Sequence, residues 1–470
     1  MSTRVREAVA IVVVLALVLV LEAFSLKSGT IGLVLIGVVA VLAVAVIVFR
    51  VSFRLAGVGA ACLASLTLTW HGVFLGPIRP GDALIFVALL CFIVADPNHA
   101  FGTPPWWVKQ LIFVLLFLAM IQIFFPPDPV YLAQRITFDA GGKATRPATG
   151  NLALTNIGVA IKFIVAVAAT PMAFIGAVRV DKRALRWIVI AFVVGSASSG
   201  WVAMVDHLGG NFGRILTGLP NASARQVGFA DHPNFLAVAC VIAVPFAFWM
   251  AYSEQRRDRV IGIIALPGLV LGTYASGSRG GAVCVLIVLA LCVVLHPKSR
   301  PHAPSFAVAG LVFVGLIAAA VPSIGAAILR ATRLTSSPIT VGSDQVRALA
   351  GAQGARDFRH SPFAGIGLQA SGQASQVYLQ ELATGGLILF IGVSVYTLGG
   401  IVASIRLMRT SALAGMVLAA LLTSVVLNYV ETDLTDRFYY VPAAILITLL
   451  DMQRRQADSE SEPISASVPA

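Results

Sequence analysis

The chain has 470 residues, 58 % of them hydrophobic and only 11 % charged, with a mean hydropathy of +0.91. A soluble domain carries about 25 % charged residues, so this composition excludes an ordinary soluble protein, and the long apolar runs exclude a disordered one. The formal charge of +12, from 33 Lys and Arg against 21 Asp and Glu, would suggest nucleic acid in a soluble protein. In a chain this apolar it reads first as topogenic charge on cytoplasmic loops, with no nucleic-acid partner.

The expected fold is all-α, a polytopic membrane protein with about 12–14 transmembrane helices in one domain over 1–451, because roughly 30 Å of hydrocarbon takes about 20 apolar helical residues. In chain order the spans fall near 8–24, 29–49, 55–76, 82–95, 106–125, 153–178, 185–205, 235–252, 260–276, 281–296, 305–322, 377–403, 412–430 and 437–451. The run at 82–95 is short enough to be re-entrant. Arg4 and Arg6 before the first apolar run resemble a signal peptide, but Glu22 and the span that follows at once read as an uncleaved first helix. The cysteines (Cys62, Cys91, Cys240, Cys284, Cys292) all lie inside apolar runs without ligand spacing and read as small core residues.

With the N-terminus inside, the short inner connections carry Arg50/Arg54, Arg179/Lys182/Arg183/Arg186, Arg256/Arg257/Arg259, Lys298/Arg300, Arg406/Arg409 and Arg454/Arg455, as the positive-inside rule requires. Both termini are then cytoplasmic, in a multi-pass protein of the cytoplasmic membrane. The end of the chain, 452–470, is rich in Ser and Glu and reads as a disordered tail. No internal repeat is evident.

Three long connections, about 126–152, 206–234 and 323–376, fall outside and hold Arg135, Arg146, Arg214, Arg225, Arg330, Arg333, Arg347, Arg356 and Arg359. The topology rule permits these arginines without explaining them. They fit an anionic ligand such as phosphate, pyrophosphate or an acidic sugar, or equally lipid headgroups and loop solubility.

Arg279 is the most informative residue. It is the only charge between Arg259 and His296, 20 residues after the first and 17 before the second, which places it at the outer edge of the hydrocarbon. Ser276-Gly277-Ser278-Arg279-Gly280-Gly281 allows a tight turn whose amides and cation make an anion pocket, against the alternative of an arginine snorkelling at a hairpin tip. Upstream, Asp231, Pro233 and Asn234 suit a helix start, which leaves Arg225 and His232 unexplained. In the outer loop, Val346, Leu349 and Phe358 support a short helix on the membrane face with Arg347 turned inward. The Pro/Gly run Ser361-Pro362 to Gly365-Ile366-Gly367 reads as a structured turn. Glu381, near the start of its span, would pair with these arginines or act as a base, and Glu431, Asp433 and Asp436 crowd the outer end of another span. Lys162 stands inside a span. Arg79-Pro80-Gly81-Asp82 marks the mouth of two spans and offers a further cation. No nucleotide or metal motif occurs in a sensible context, so neither cofactor nor metal is expected.

Four blocks in order resemble the O-antigen ligase-like superfamily, the bacterial polysaccharide ligases and O-antigen polymerases. They are Arg225-x-x-Gly228-Phe229-x-x-His232-Pro233-Asn234; Ser276-x-Ser278-Arg279-Gly280-Gly281; Arg347 ahead of Ser361-Pro362-x-x-Gly365-Ile366-Gly367; and Val377-Tyr378-Leu379-Gln380-Glu381-Leu382 ahead of Gly385-Gly386-Leu387. The resemblance covers about residues 195–450. It implies a metal-independent glycosyltransferase that moves or polymerises a glycan from a polyprenyl-diphosphate-linked donor onto a glycan or lipid-glycan acceptor. This would take place at the outer face of the cytoplasmic membrane, in cell-envelope polysaccharide assembly and with envelope-assembly partners. Arg225, Arg279 and Arg347 match family positions and would hold the diphosphate, with Arg79 a looser match and Arg356 a further candidate. Catalytic candidates are Arg279, Arg347, Arg225, Glu381 and His232. One departure stands out: Ser375-Gln376 occupies the position where ligases carry a His-Asn or His-Ser pair, which leaves three alternatives: His232, His360, Glu381 or Asp231 replaces that base, the chain belongs with the polymerases, where that His is not uniformly kept, or it is a catalytically weak relative. The rival reading is a transporter or flippase for lipid-linked or anionic solutes, and a third is a non-catalytic scaffold.

Overall fold

The computed structural model describes residues 52–74, 79–96, 102–126, 128–135, 137–138, 144–145, 152–218, 225–305, 308, 338–368, 376–429 and 434–461. The expected spans 8–24, 29–49 and most of 305–322 lie outside these residues, as do Arg146, Arg330, Arg333, Ser375, Glu431 and Asp433. The rest is an all-α, polytopic membrane fold. Six of its helices are long and apolar enough to cross a membrane. They include α3 (Trp106–Phe124), α7 (Ala184–His207), α9 (Pro233–Ala251), α10 (Arg256–Ser276) and α13 (Val377–Leu407). The sixth runs Asn156–Val180 and is α5 (Leu152–Ile164) joined to α6 (Thr170–Val180) through a π turn at Val165–Ala169. Shorter apolar helices are α1 (Phe53–Thr67), α2 (Pro80–Ala95), α11 (Arg279–Leu295) and α14 (Ala412–Leu427). The last helix, α15, runs Val441–Ser461. The connections hold three further helices, α4 (Pro129–Gln134), α8 (Phe212–Thr217) and α12 (Pro338–His360), and a two-residue β pair, Thr137–Phe138 with Ala144–Thr145.

Helix α9 is apolar on every side, and a helix of that kind must be enclosed. It packs against α7, α10, α11 and α14, and every residue from Leu236 to Phe248 is buried. At the periphery, α3 keeps Phe113, Leu116, Phe117 and Phe124 exposed, the face that a bilayer would solvate.

Ion pairs sort the connections into two ends. At one end Arg54 meets Asp96 (3.5 Å), Arg179 meets Asp451 (2.8 Å), Arg186 meets Asp258 (2.6 Å) and Lys298 meets Glu254 (3.3 Å). These are the short basic connections. Helix α2 joins this end, at Asp96, to the loop-rich end, at Arg79; its 16 residues rise about 24 Å. The segment near 82–95 therefore crosses the bundle and does not turn back within it. A second departure from the sequence reading is the tail: α15 continues to Ser461, past the last apolar residues, with Arg455 four residues from Asp451 at 3.3 Å. The residues 452–461 are thus helical, a conformation that their Met, Gln, Arg, Ala and Glu content and this i,i+4 pair support.

Near the loop-rich end α13 is broken at Gly386, which adopts φ 62° and ψ −159°. The break releases backbone groups, and the turn after α12 takes them up. Ile366 N–H donates to Ala383 O (2.9 Å), Gly367 N–H to Thr384 O (3.1 Å), Leu387 N–H to Pro362 O (2.8 Å) and Ile388 N–H to Phe363 O (3.2 Å). Gln122 completes the junction by accepting from Leu368 N–H at 3.2 Å. A Cβ on Gly386 would run into the Phe363 carbonyl, and one on Gly365 into Thr384.

Candidate functional site at the loop-rich end

The segment 225–234, which leads into α9, organises the site. Phe229 anchors it, donating its N–H to Ser199 Oγ (2.9 Å) and accepting from Gly72 N–H (2.8 Å). Arg225 reaches across to the end of α10, where its Nε donates to Ser276 O at 2.8 Å, while Nη2 donates to Asn234 Oδ1. Gln226 N–H donates to Ala275 O at 3.0 Å. The α10–α11 turn is the tight one that the Ser/Gly pattern suggests. Gly277 takes the left-handed conformation (φ 60°). Ser278 then caps α11, its Oγ accepting from Gly281 N–H at 3.2 Å. Arg279 is the first residue of α11 and half-buried, two residues from the glycine that Arg225 packs against.

His232 caps α9, its Nδ1 accepting from Asn234 N–H at 3.2 Å. The neutral ring then carries its proton on Nε2. Burial, followed by the positive charges of Arg225 and Arg347, pushes this imidazole down to about 4. The side chain is therefore neutral at physiological pH and a weak base. Arg347 itself is exposed on α12, and its charge is the smaller of the two that act on His232.

Arg79 approaches from the mouth of α2. It donates to Asp231 Oδ2 (3.2 Å) and to Asp436 Oδ1 (2.8 Å), and lies 2.8 Å from His71 Nδ1. Asp436 is 1 % exposed and sits 2.9 Å from the equally buried His71. Beside them Arg437 and Asp82 pair at 2.6 Å. Charges in a membrane-spanning fold are costly unless paired, and this network ties the ends of α2 and α15 to the 225–234 segment. Arg79 is thus held by two carboxylates as part of the wall.

The structure brings Arg79, Arg225 and His232 together at one segment, with Arg347 acting on His232 through its charge and Arg279 two residues beyond the glycine that Arg225 packs against. Glu381 and Arg356 lie elsewhere. Glu381 shares the inward face of α13 with Val377, Gln380 and Thr384, is 1 % exposed, and pairs with no arginine among the described residues. The expected pairing fails because the helix points this side chain into the bundle and away from the loops. Arg356 is exposed, and its Nε bends back to Ala352 O at 3.4 Å. His360 is stacked on Tyr131 at 3.8 Å. Lys162 is exposed on α5.

Two groups escape a reading of the sequence. Arg135, one of the outer-loop arginines that the sequence leaves open between an anionic ligand and loop solubility, forms a buried bidentate pair with Asp357 (Nε to Oδ1 3.1 Å, Nη2 to Oδ2 2.7 Å). The His71–Asp436 contact joins residues more than 350 positions apart, and no local pattern announces it. Among the described residues no group of three His, Cys, Asp or Glu side chains is placed to hold a metal ion. No protein-family model matches the chain, and no curated protein matches it.

Proposed function

We propose that this chain is a membrane glycosyltransferase that transfers or polymerises a glycan from a polyprenyl-diphosphate-linked donor onto an acceptor hydroxyl. The observation that supports it is that Arg225 and Arg347, from separate parts of the sequence, both act through their charge on the capping residue of α9, while Arg279 opens α11 two residues after the glycine that Arg225 packs against. Guanidinium forks bind diphosphate oxygens in bidentate fashion and stabilise the charge that develops as the glycosyl–oxygen bond breaks. His232 offers an Nε2–H donor to the same oxygens, since Nδ1 is engaged by Asn234. By the positive-inside reading the site faces outward, beyond the reach of cytoplasmic nucleotide sugars, which suits a lipid-linked donor.

The test uses purified protein in proteoliposomes with a polyprenyl-diphosphate oligosaccharide and no nucleotide or metal, comparing wild type with Arg279→Ala. Release of polyprenyl diphosphate that requires Arg279 is the expected result, with a ladder of lengths marking a polymerase and a single product a ligase. Donor binding without release across a range of acceptors would refute the enzyme, and movement of donor across the bilayer would assign a transporter.

A further inference from the structure

Helix α12 carries Arg347 near its middle, and among its described side chains the buried ones lie in the C-terminal half. Gln353, Gly354 and Asp357 are buried, whereas Gln345, Arg347, Ala348 and Leu349 are exposed. It packs against α13, and a polar clasp holds it as well. Asp357, 1 % exposed, accepts from Arg135 through two nitrogens, from Tyr131 Oη (2.9 Å) and from Gln353 Nε2 (2.8 Å). Tyr131 also stacks on His360 with the rings 4° from parallel, and Leu132 packs on Ile366. Burial, followed by the hydrogen bond to the Asp357 carboxylate, raises the Tyr131 hydroxyl to about 12. The partners that meet α12 and the turn after it here, Tyr131, Leu132 and Arg135, come from α4 and its end, a segment distant in sequence from the arginine site.

We infer that the Arg135–Asp357–Tyr131 clasp is the positioning device for Arg347, fixing the angle at which α12 presents this cation over the site. The inference rests on the proposed role of Arg347 as an anion-binding residue. Asp357 and Arg347 are ten residues apart on a helix, about 15 Å along its axis. A tilt of about 10° at the clasp would therefore displace Arg347 by roughly 2.6 Å, whereas a misplacement near 1 Å already costs about 100-fold where a bound geometry matters. A buried ion pair is weak as a source of stability and strong as a source of unique geometry, which is the property that a lever needs.

The experiment measures binding of a short-chain polyprenyl diphosphate to the full-length protein in nanodiscs for Arg347→Gln, Arg135→Gln and the double variant. Each single change is expected to weaken binding by about tenfold, the scale of one charge-assisted hydrogen bond, and the double to be no weaker than Arg347→Gln alone. Losses that multiply would overturn the inference while leaving Arg347 as a ligand. Normal binding by Arg347→Gln would instead remove the premise and overturn the assignment of the anion site with it. Should Arg135→Gln fail to fold, Tyr131→Phe, which removes one hydrogen bond, carries the same comparison: a smaller loss in the wild-type background that vanishes in Arg347→Gln supports the clasp, and one that persists refutes it.

Discussion

Replacing Gly386 by alanine tests the junction on which the loop-rich end is built. At φ 62° and ψ −159° the residue occupies a region essentially reserved for glycine. Holding an alanine there costs about 1–3 kcal/mol of backbone strain. Its methyl group would also collide with the Phe363 carbonyl, and Leu387 N–H and Ile388 N–H would lose their acceptors on Pro362 and Phe363 at about 1 kcal/mol each. Strain and lost bonds together give roughly 3–5 kcal/mol. The control is Gly59→Ala, on the exposed face of α1 where a Cβ meets nothing within 4 Å; there alanine should stabilise by up to about 1 kcal/mol through helix propensity. Thermal unfolding of the detergent-purified protein, followed by intrinsic fluorescence, would compare the three chains. The expected order is Gly59→Ala at or above wild type, and Gly386→Ala several degrees below it. A Gly386→Ala protein that unfolds with wild type would refute the interlock between α13 and the 361–368 turn.

His232 predicts a pH dependence. Its folded value of about 4 lies below its ordinary 6.5, so the unfolded state takes up the proton first as pH falls. The contribution to stability is complete above about 6.5 and is lost between there and about 4, by up to about 3 kcal/mol. Chemical denaturation at pH 7.5 and 4.5 should show this loss in wild type and a smaller one in His232→Gln; equal losses would refute it. Asp436→Asn removes the buried negative charge between Arg79 and His71 and should destabilise by about 3–5 kcal/mol, against about 0–1 kcal/mol for Arg54→Gln at the exposed Arg54–Asp96 pair, as read from the same unfolding curves.

Much of the architecture was legible because it depends on local pattern. A run of apolar residues long enough to cross hydrocarbon becomes a helix in any packing arrangement, since no other backbone conformation satisfies its hydrogen bonds there. The tight turn before Arg279 was written in Ser276, Gly277 and Ser278, and the start of α9 in Pro233 and Asn234, whereas the capping role of His232 was not. Charge pattern also separated the basic connections from the long loops.

The fate of each charged side chain was another matter. Arg135, Arg347 and Arg356 look alike in the sequence, as arginines in polar loops. Folding sends the first into a buried pair with Asp357, leaves the second exposed but within electrostatic reach of His232, and turns the third back along its own helix. Glu381 and Asp436 both stand near span ends, yet one points into the bundle unpaired with any arginine among the described residues, and the other joins Arg79 and His71. The sequence by itself determined where the helices lie and which turns are tight, because those follow from solvent and from bonds made within a few residues. Only the tertiary structure decided which charges meet, because a desolvated charge takes the partner that packing places beside it, and that partner is set by the arrangement of whole helices.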